Sequence, residues 1–362
     1  MPHVSAARPL RLPMVITVLV AGTLSAVEAQ AESPPGEDTT DTRRNEVLTL
    51  QVENDVFFDT DRDYTNGLRL SYGYEPHGHD KALDARISRL LLGLSPVGSR
   101  VRREGGGHVY YTLGIGQNMY TPDDITVSDI IPEDRPYAGW TYLEFGMIAE
   151  DSRNFEAWKL DIGLIGPASG AGWTQRRWHE VIDSDRPEGW ANQLPNEPGV
   201  NLHYVRGWRR WITGGGNSAG RGTPLQVDMM PHVGAALGNV YTHASAGITF
   251  RIGTNLTRDV GSPPRIQPAM PGSELYRGSG FDFYLFAGGE GRAVARNIFL
   301  DGTWRSHPHS VDSETFVADL QVGAVLLAGQ WRLALTRAWR TREYETSDID
   351  QEYAAITLSR RF

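Results

Sequence analysis

The chain has 362 residues, no cysteine, 40 glycines, 10 tryptophans and a formal charge of −9. The missing cysteines exclude disulfides and thiolate metal centres, and the acidic balance makes the chain a poor partner for nucleic acid. This length accommodates one large domain or two small ones.

Arg8 and Arg11 precede an apolar run from Met14 to Val27, and the small residues Ala29 and Ala31 then fit an A-x-A cleavage site. The run is shorter than the roughly 20 residues that span a bilayer, so residues 1–31 are expected to be a Sec signal peptide rather than an anchoring helix. Its removal takes away two arginines and one glutamate and leaves the remainder more acidic still. Residues 32–45 are polar without an apolar period, which predicts a short mobile lead-in.

From residue 46 onward no apolar stretch is long enough for a transmembrane helix. The pattern is an alternation of period two. In residues 157–164 Trp158, Leu160, Ile162 and Leu164 share one face, with Lys159 and Asp161 on the other; Trp331, Leu333 and Leu335 repeat the pattern, as do Ala354, Ile356 and Leu358. A soluble sandwich alternates in the same way. Segments of about ten residues, aromatics at their ends (Tyr110, Tyr120, Trp140, Trp208, Trp339) and a terminal Phe362 favour a membrane barrel instead.

Thirteen segments qualify as strands: 46–54, 64–74, 108–118, 138–150, 156–166, 201–211, 225–237, 241–251, 280–290, 295–306, 314–327, 330–341 and 351–362. A bacterial single-chain barrel has an even number, so one of them is superfluous and residues 46–362 are expected to form an all-β antiparallel outer-membrane barrel of about twelve strands. Short turns at 150–154, 238–239, 292–297 and 328–330 are expected in the periplasm, and the long connections 119–137, 167–200 and 252–279 outside. The two sets conflict in parity somewhere between residues 200 and 280.

Two segments have a helical period. Residues 80–94 place Leu83, Ile87, Leu90 and Leu91 on one stripe and are expected to cap a barrel end. Residues 173–182 lie in the longest loop, where Gln175 and His179, four apart, share a helical face among Trp173, Trp178 and Trp190. An imidazole there could take a proton from water near neutral pH, although a histidine on such a helix is more often a surface residue. No serine nucleophile elbow and no H-E-x-x-H motif occurs, so water assisted by histidine suits a hydrolase better than an acyl-enzyme.

The first hairpin concentrates polar residues. If Leu48, Leu50 and Val52 face lipid, Thr49, Gln51, Glu53 and Asp55 face the lumen, and the next strand brings Thr65, Arg69 and Ser71 to the same side. Asn54 falls on the opposite phase unless the strand ends or bulges there. Asp59, Asp61 and Asp63 have the D-x-D-x-D spacing of a calcium loop, but Tyr64 and Leu70 stand where an EF-hand needs Gly and Glu. They read more readily as a solvated loop tip, with an irregular calcium site as the alternative.

The stretches "ENDVFFDTDRDYTNGLRLSYGY", "GQNMYTPDD", "DRPYAGW", "GPASGAGWTQRRWHEVIDSDRPEGWANQLPNEPG", "GAALGNVYTHASAG" and "FLDGTW" together resemble the outer-membrane lipid A 3-O-deacylases of Gram-negative bacteria, the LpxR-like family. The resemblance extends from about residue 46 to the C-terminus. It implies a twelve-stranded barrel with its site at the outer-leaflet end, between the wall and a loop helix, and Ca2+-dependent hydrolysis of the ester holding the 3'-acyloxyacyl chain of lipid A in lipopolysaccharide. Carried onto this sequence, His179 would be the general base, with Gln175 beside it and Asn54, Asp55 and Thr65 around the metal and the ester; Asn54 and Asp55 are the metal-ligand candidates. Arg135 and Arg69 are candidates for the lipid A phosphates, Arg135 equally for an ion pair with Asp134 or a loop carboxylate, and Glu197 and Asp185 for outer metal or helix-positioning groups. The alternatives are a non-catalytic lipopolysaccharide-binding or structural barrel, a phospholipase, and a passive pore; the polar pair at the hairpin and the Trp-rich loop helix weigh against the pore.

Overall fold

The computed structural model describes residues 46–55, 63–75, 95–104, 106–214, 225–266, 272–304, 309–347 and 350–362. The segments expected to be signal peptide and lead-in, the expected helix over 80–94, and Asp59 and Asp61 lie outside them; Asp63 opens the second strand.

Twelve long strands close into a ring. They are β1 (Glu46–Asn54), β2 (Asp63–Tyr74), β3 (Gly107–Thr121), β4 (Ala138–Asp151), β5 (Asn154–Ile165), β6 (Glu197–Trp208), β8 (Gln226–Gly238), β9 (Tyr241–Gly253), β10 (Phe281–Asn297), β11 (Phe316–Ala328), β12 (Trp331–Arg340) and β13 (Gln351–Arg361). Each pairs antiparallel with its neighbours, β1 with β13 and β6 with β8 completing the circle, and the four-residue β7 (Arg210–Thr213) is an appendage on the start of β8. The superfluous segment is 295–306. β10 runs on to Asn297, whose side chain caps a single helical turn, α3 (Ile298–Asp301). The apolar run Ile298, Phe299, Leu300 imitates a strand, but all three residues are buried together rather than alternating.

An even strand number puts the start of β1 and the end of β13 at one end of the barrel, the periplasmic end from which such chains insert. Following the strands from there corrects the expected sidedness. The turn at 239–240 lies at the outer end, 292–297 is no turn at all, and residues 254–280 connect β9 to β10 at the periplasmic end. That long connection looks extracellular by length alone. Instead its described residues, 254–266 and 272–280, turn back into the barrel as a plug, whose Arg265 and Glu274 meet lumenal side chains.

The wall is inverted relative to a soluble protein. Leu70, Ile115, Leu143, Ile162, Phe250 and Leu285 point outward and are exposed, as a lipid-facing band requires. Inside lie ion pairs: Arg251 with Asp228, Arg332 with Asp259 at 2.8 Å, and Arg340 with Asp319 at 2.8 Å. Towards the outer end the lumen is packed with aromatics. Tyr120 stacks on Phe299 at 4.2 Å, Trp140 on Tyr142 at 4.3 Å, and the Tyr120 and Tyr241 hydroxyls are 2.6 Å apart. The described part of the plug and these aromatics lie in the lumen that a passive pore would keep open. At the periplasmic end an unforeseen helix, α1 (Pro96–Glu104), is tied to the wall where Ser95 and the Val97 amide donate to Glu156.

Candidate active site

Helix α2 (Ala171–Ile182) carries Gln175 and His179 on its buried face. It does not cover the barrel mouth. The alternation along β3 and β4 puts Gln117, Met119 and Thr121, and Gly139 and Thr141, on the outward phase; of these, Gly139 lies against the first residue of the helix, and Gln117 and Thr141 hold the turn before it. Gln117 Nε2 and the Thr141 hydroxyl donate to the Ser169 carbonyl at 2.8 and 2.7 Å, just before the helix begins. Gly139 is required at this contact, because a Cβ there would come within 2.3 Å of the Ala171 side chain. The site therefore lies between the outer surface of the wall and α2, at the outer end.

His179 is 3% exposed. Its Nδ1 is 2.5 Å from the carbonyl oxygen of Asp185, beyond the left-handed Asp183 that ends the helix. A carbonyl only accepts, so Nδ1 carries the proton, and in the neutral ring Nε2 is the basic nitrogen. One turn earlier, Gln175 Oε1 accepts from the Trp190 indole N–H at 2.6 Å. This fixes the amide so that Nε2 is the remaining donor; that buried nitrogen has no protein partner among the described residues. Trp190 packs on Tyr137 at 5.1 Å and approaches α2 where Gly172 leaves room, since a Cβ at 172 would meet the indole at 2.8 Å. Trp190 and Thr121 also belong to the candidate site through their bonds to Gln175 and Thr65; the Trp-rich composition of the loop hints at Trp190, and no sequence signal marks Thr121.

The hairpin supplies the facing side. Asn54 keeps the outward phase at the last position of β1, buried, and its Nδ2 donates to the Thr65 carbonyl at 2.8 Å. Thr65 was expected to face the lumen. A register shift between Tyr64 and Asn66 makes it the extra residue of a bulge, and its hydroxyl lies 2.6 Å from that of Thr121 on the outward phase of β3. The bulge is what brings Thr65 to the same face as Asn54. Asp55, buried, follows directly where the strand stops.

Asn54, Asp55, Thr65, Gln175 and His179 thus gather at the outer end of β1–β4, whereas Arg69 does not join them. Arg69 sits inside the barrel between Glu144 and Glu274, at 2.5 and 3.0 Å, so its charge is matched within the lumen and is not presented to a phosphate. Arg135 is buried, 3.6 Å from Glu343 and over the rings of Tyr120 and Tyr344 at 5.0 and 5.9 Å, so the loop carboxylate expected for it is Glu343. Asp134 instead accepts from the Arg135 backbone amide and the Tyr344 hydroxyl. Glu197 accepts from Asn239 and the Trp304 amide, a fastening between loops, and Asp185 acts on His179 through its backbone.

Among the described residues no three His, Asp or Glu side chains gather as a metal centre. A cation at the hairpin would rest on one carboxylate, Asp55, with amide, hydroxyl and backbone oxygens from Asn54 and Thr65 and with water. That set is all oxygen and irregular, which suits Ca2+ and not a zinc site built on nitrogen and sulfur.

The family model "Outer membrane protein LpxR" matches residues 14–362. The solved structure of LpxR from Salmonella typhimurium is similar with a TM-score of 0.68 and 22% identity, covering 87% of this chain and all of that one. The translocator domain of the autotransporter NalP from Neisseria meningitidis aligns over 99% of this chain and all of its own at 9% identity, with a TM-score of only 0.37. No curated protein sequence matches.

Proposed function

Because the chain belongs to the LpxR family of outer-membrane proteins, we propose that it is a calcium-dependent esterase that removes the 3'-O-linked acyloxyacyl chain from lipid A in the outer leaflet. The observation that carries this reading is His179: a buried histidine held in one tautomer against the lipid-facing side of the wall, with an oriented amide donor one turn away.

His179 Nε2 takes a proton from water as the water oxygen bonds to the ester carbonyl carbon. The protonated imidazole keeps its hydrogen bond to the Asp185 carbonyl, which holds the ring still. Gln175 Nε2 donates to the substrate beside the reacting carbonyl. When the C–O bond to the sugar breaks, the alkoxide takes the proton back from His179, and a carboxylic acid and a sugar hydroxyl are the products. Asp55 and Asn54 would hold Ca2+, with Thr65 beside them; when bound, the ion supplies a Lewis acid for the charge that develops on the carbonyl oxygen.

The test is mass spectrometry of lipid A after incubation with the detergent-folded protein, with Ca2+ and with a chelator. A calcium-dependent loss of one acyloxyacyl group is expected. An unchanged spectrum in both arms, from protein that shifts on gels when heated, would leave a lipopolysaccharide-binding barrel, and release of fatty acid from glycerophospholipid alone would make it a phospholipase.

A further inference from the structure

The plug reaches the back of the site. Residues 254–280 start and finish at the periplasmic end, where the Gly329 amide donates to the Gly280 carbonyl and the Tyr276 hydroxyl to that of Gln330. Between these anchors, Pro264, Arg265 and Ile266 touch the lumenal side of the same hairpin whose outward side carries Asn54 and Thr65. Glu53, fully buried, is the focus. Its Oε1 accepts from Arg265 Nε at 2.7 Å, from the Ile266 amide at 3.0 Å and from Gln51 Nε2 at 2.9 Å, and Gln51 also donates to the Pro264 carbonyl at 2.8 Å. The Arg265 guanidinium lies 4.4 Å from the Tyr353 ring centre. Ile266 packs into the cluster that contains Tyr64, and a Cβ at Gly67 would meet Ile266 Cδ1 at 2.8 Å.

We propose that Glu53 and Arg265 are positioning residues: the plug braces the β1–β2 hairpin from inside the lumen and so fixes Asn54, Asp55 and the Thr65 bulge on the opposite side of the wall. Glu53 immediately precedes Asn54, and Tyr64 immediately precedes the bulged Thr65, so both braced residues are covalent neighbours of the residues they set. A strand end and a bulge are the parts of a sheet least constrained by ladder hydrogen bonds. A buried carboxylate that accepts three hydrogen bonds allows the backbone that carries it little freedom. Ligands and donors must be held to within about 0.5 Å for productive geometry, and groups that orient metal ligands typically change affinity or activity by about 10–100-fold when replaced.

The functional half of this assignment rests on the proposed hydrolysis; the structural half does not. Full-length Arg265→Gln, Glu53→Gln and Arg265→Lys proteins would be compared with Arg258→Gln, which cuts the plug's link to Asp282 at its periplasmic foot. The first readout is amide hydrogen exchange at residues 53–55 and 63–66 in heat-modifiable, folded barrels without calcium. Arg265→Gln and Glu53→Gln should accelerate exchange there, Arg265→Lys much less, and Arg258→Gln not at all. The second is Ca2+ titration by calorimetry alongside lipid A hydrolysis, in which the two glutamine variants should lose about 10-fold or more in calcium affinity or rate while Arg258→Gln stays near wild type. Unchanged exchange at the hairpin, or equal losses from Arg258→Gln and Arg265→Gln, would overturn the brace. A wild-type barrel that neither binds Ca2+ nor hydrolyses lipid A, yet shows the exchange pattern, would overturn the proposed reaction and leave the brace standing.

Discussion

At the scale of single residues, the proposed base and amide donor are each oriented by another group of the chain. The Asp185 carbonyl decides which nitrogen of His179 is basic, and the Trp190 indole decides which way Gln175 points. Replacing His179 with alanine should lower the rate of lipid A hydrolysis by about 10²–10⁴-fold while the barrel still shifts on gels when heated, because the contribution proposed for the ring is proton transfer. Wild-type rates from that variant would remove the general base. Gly172→Ala tests the indirect contact. The new methyl group would collide with the indole, so Trp190 must move and release Gln175; a red shift in tryptophan emission together with a loss of rate is expected, and a loss without the shift would mean that α2 itself had moved.

At the scale of elements, legibility followed the strength of the period. β12 and β13 alternate cleanly and lie within one residue of the expected bounds, because one face meets lipid and the other a polar lumen. The end of β10 was misread because Ile298, Phe299 and Leu300 continue the apolar signal while the backbone turns into a capped helical turn. Sidedness was misread because loop length stood in for location, and the charges of the plug, which partner lumenal residues, look in sequence like those of a solvated loop. The bulge that turns Thr65 outward has no sequence signature of its own, so the face that Thr65 occupies was not legible. The outer connection after β12 makes a pH prediction. Burial alone would raise the Glu343 carboxyl, but Arg340 and Arg135 outweigh it and hold it below its ordinary value. A depressed carboxylate stabilises the fold above the unfolded value of about 4.3, and that contribution is lost as pH falls through the lower folded value. Hydrogen exchange at residues 341–347 should therefore rise as the pH is taken below about 4, corrected for intrinsic rates, and the rise should be blunted in Glu343→Gln.

At the scale of the whole molecule, the wall separates two solvents, and the same side chain has opposite consequences on its two faces. Arginines are common in the lumen because each finds a carboxylate there; Arg251 and Asp228 are both completely buried and pair through two hydrogen bonds. On the outer face Leu143, near the middle of β4 and 52% exposed, meets lipid instead. Leu143→Arg should cost about 2–4 kcal/mol, the penalty for a cation at the bilayer midplane. Asp228→Ala changes no lipid contact, yet it should cost about 3–5 kcal/mol because it strands Arg251 in a buried site without its counter-charge. Urea titration of folding into vesicles measures both. In thinner bilayers the Leu143→Arg penalty should shrink as the guanidinium reaches headgroups, whereas the Asp228→Ala penalty should not depend on thickness, since the lumen is closed to lipid. If both penalties fell together with thickness, the ion-pair network would not be insulated from the membrane by the wall.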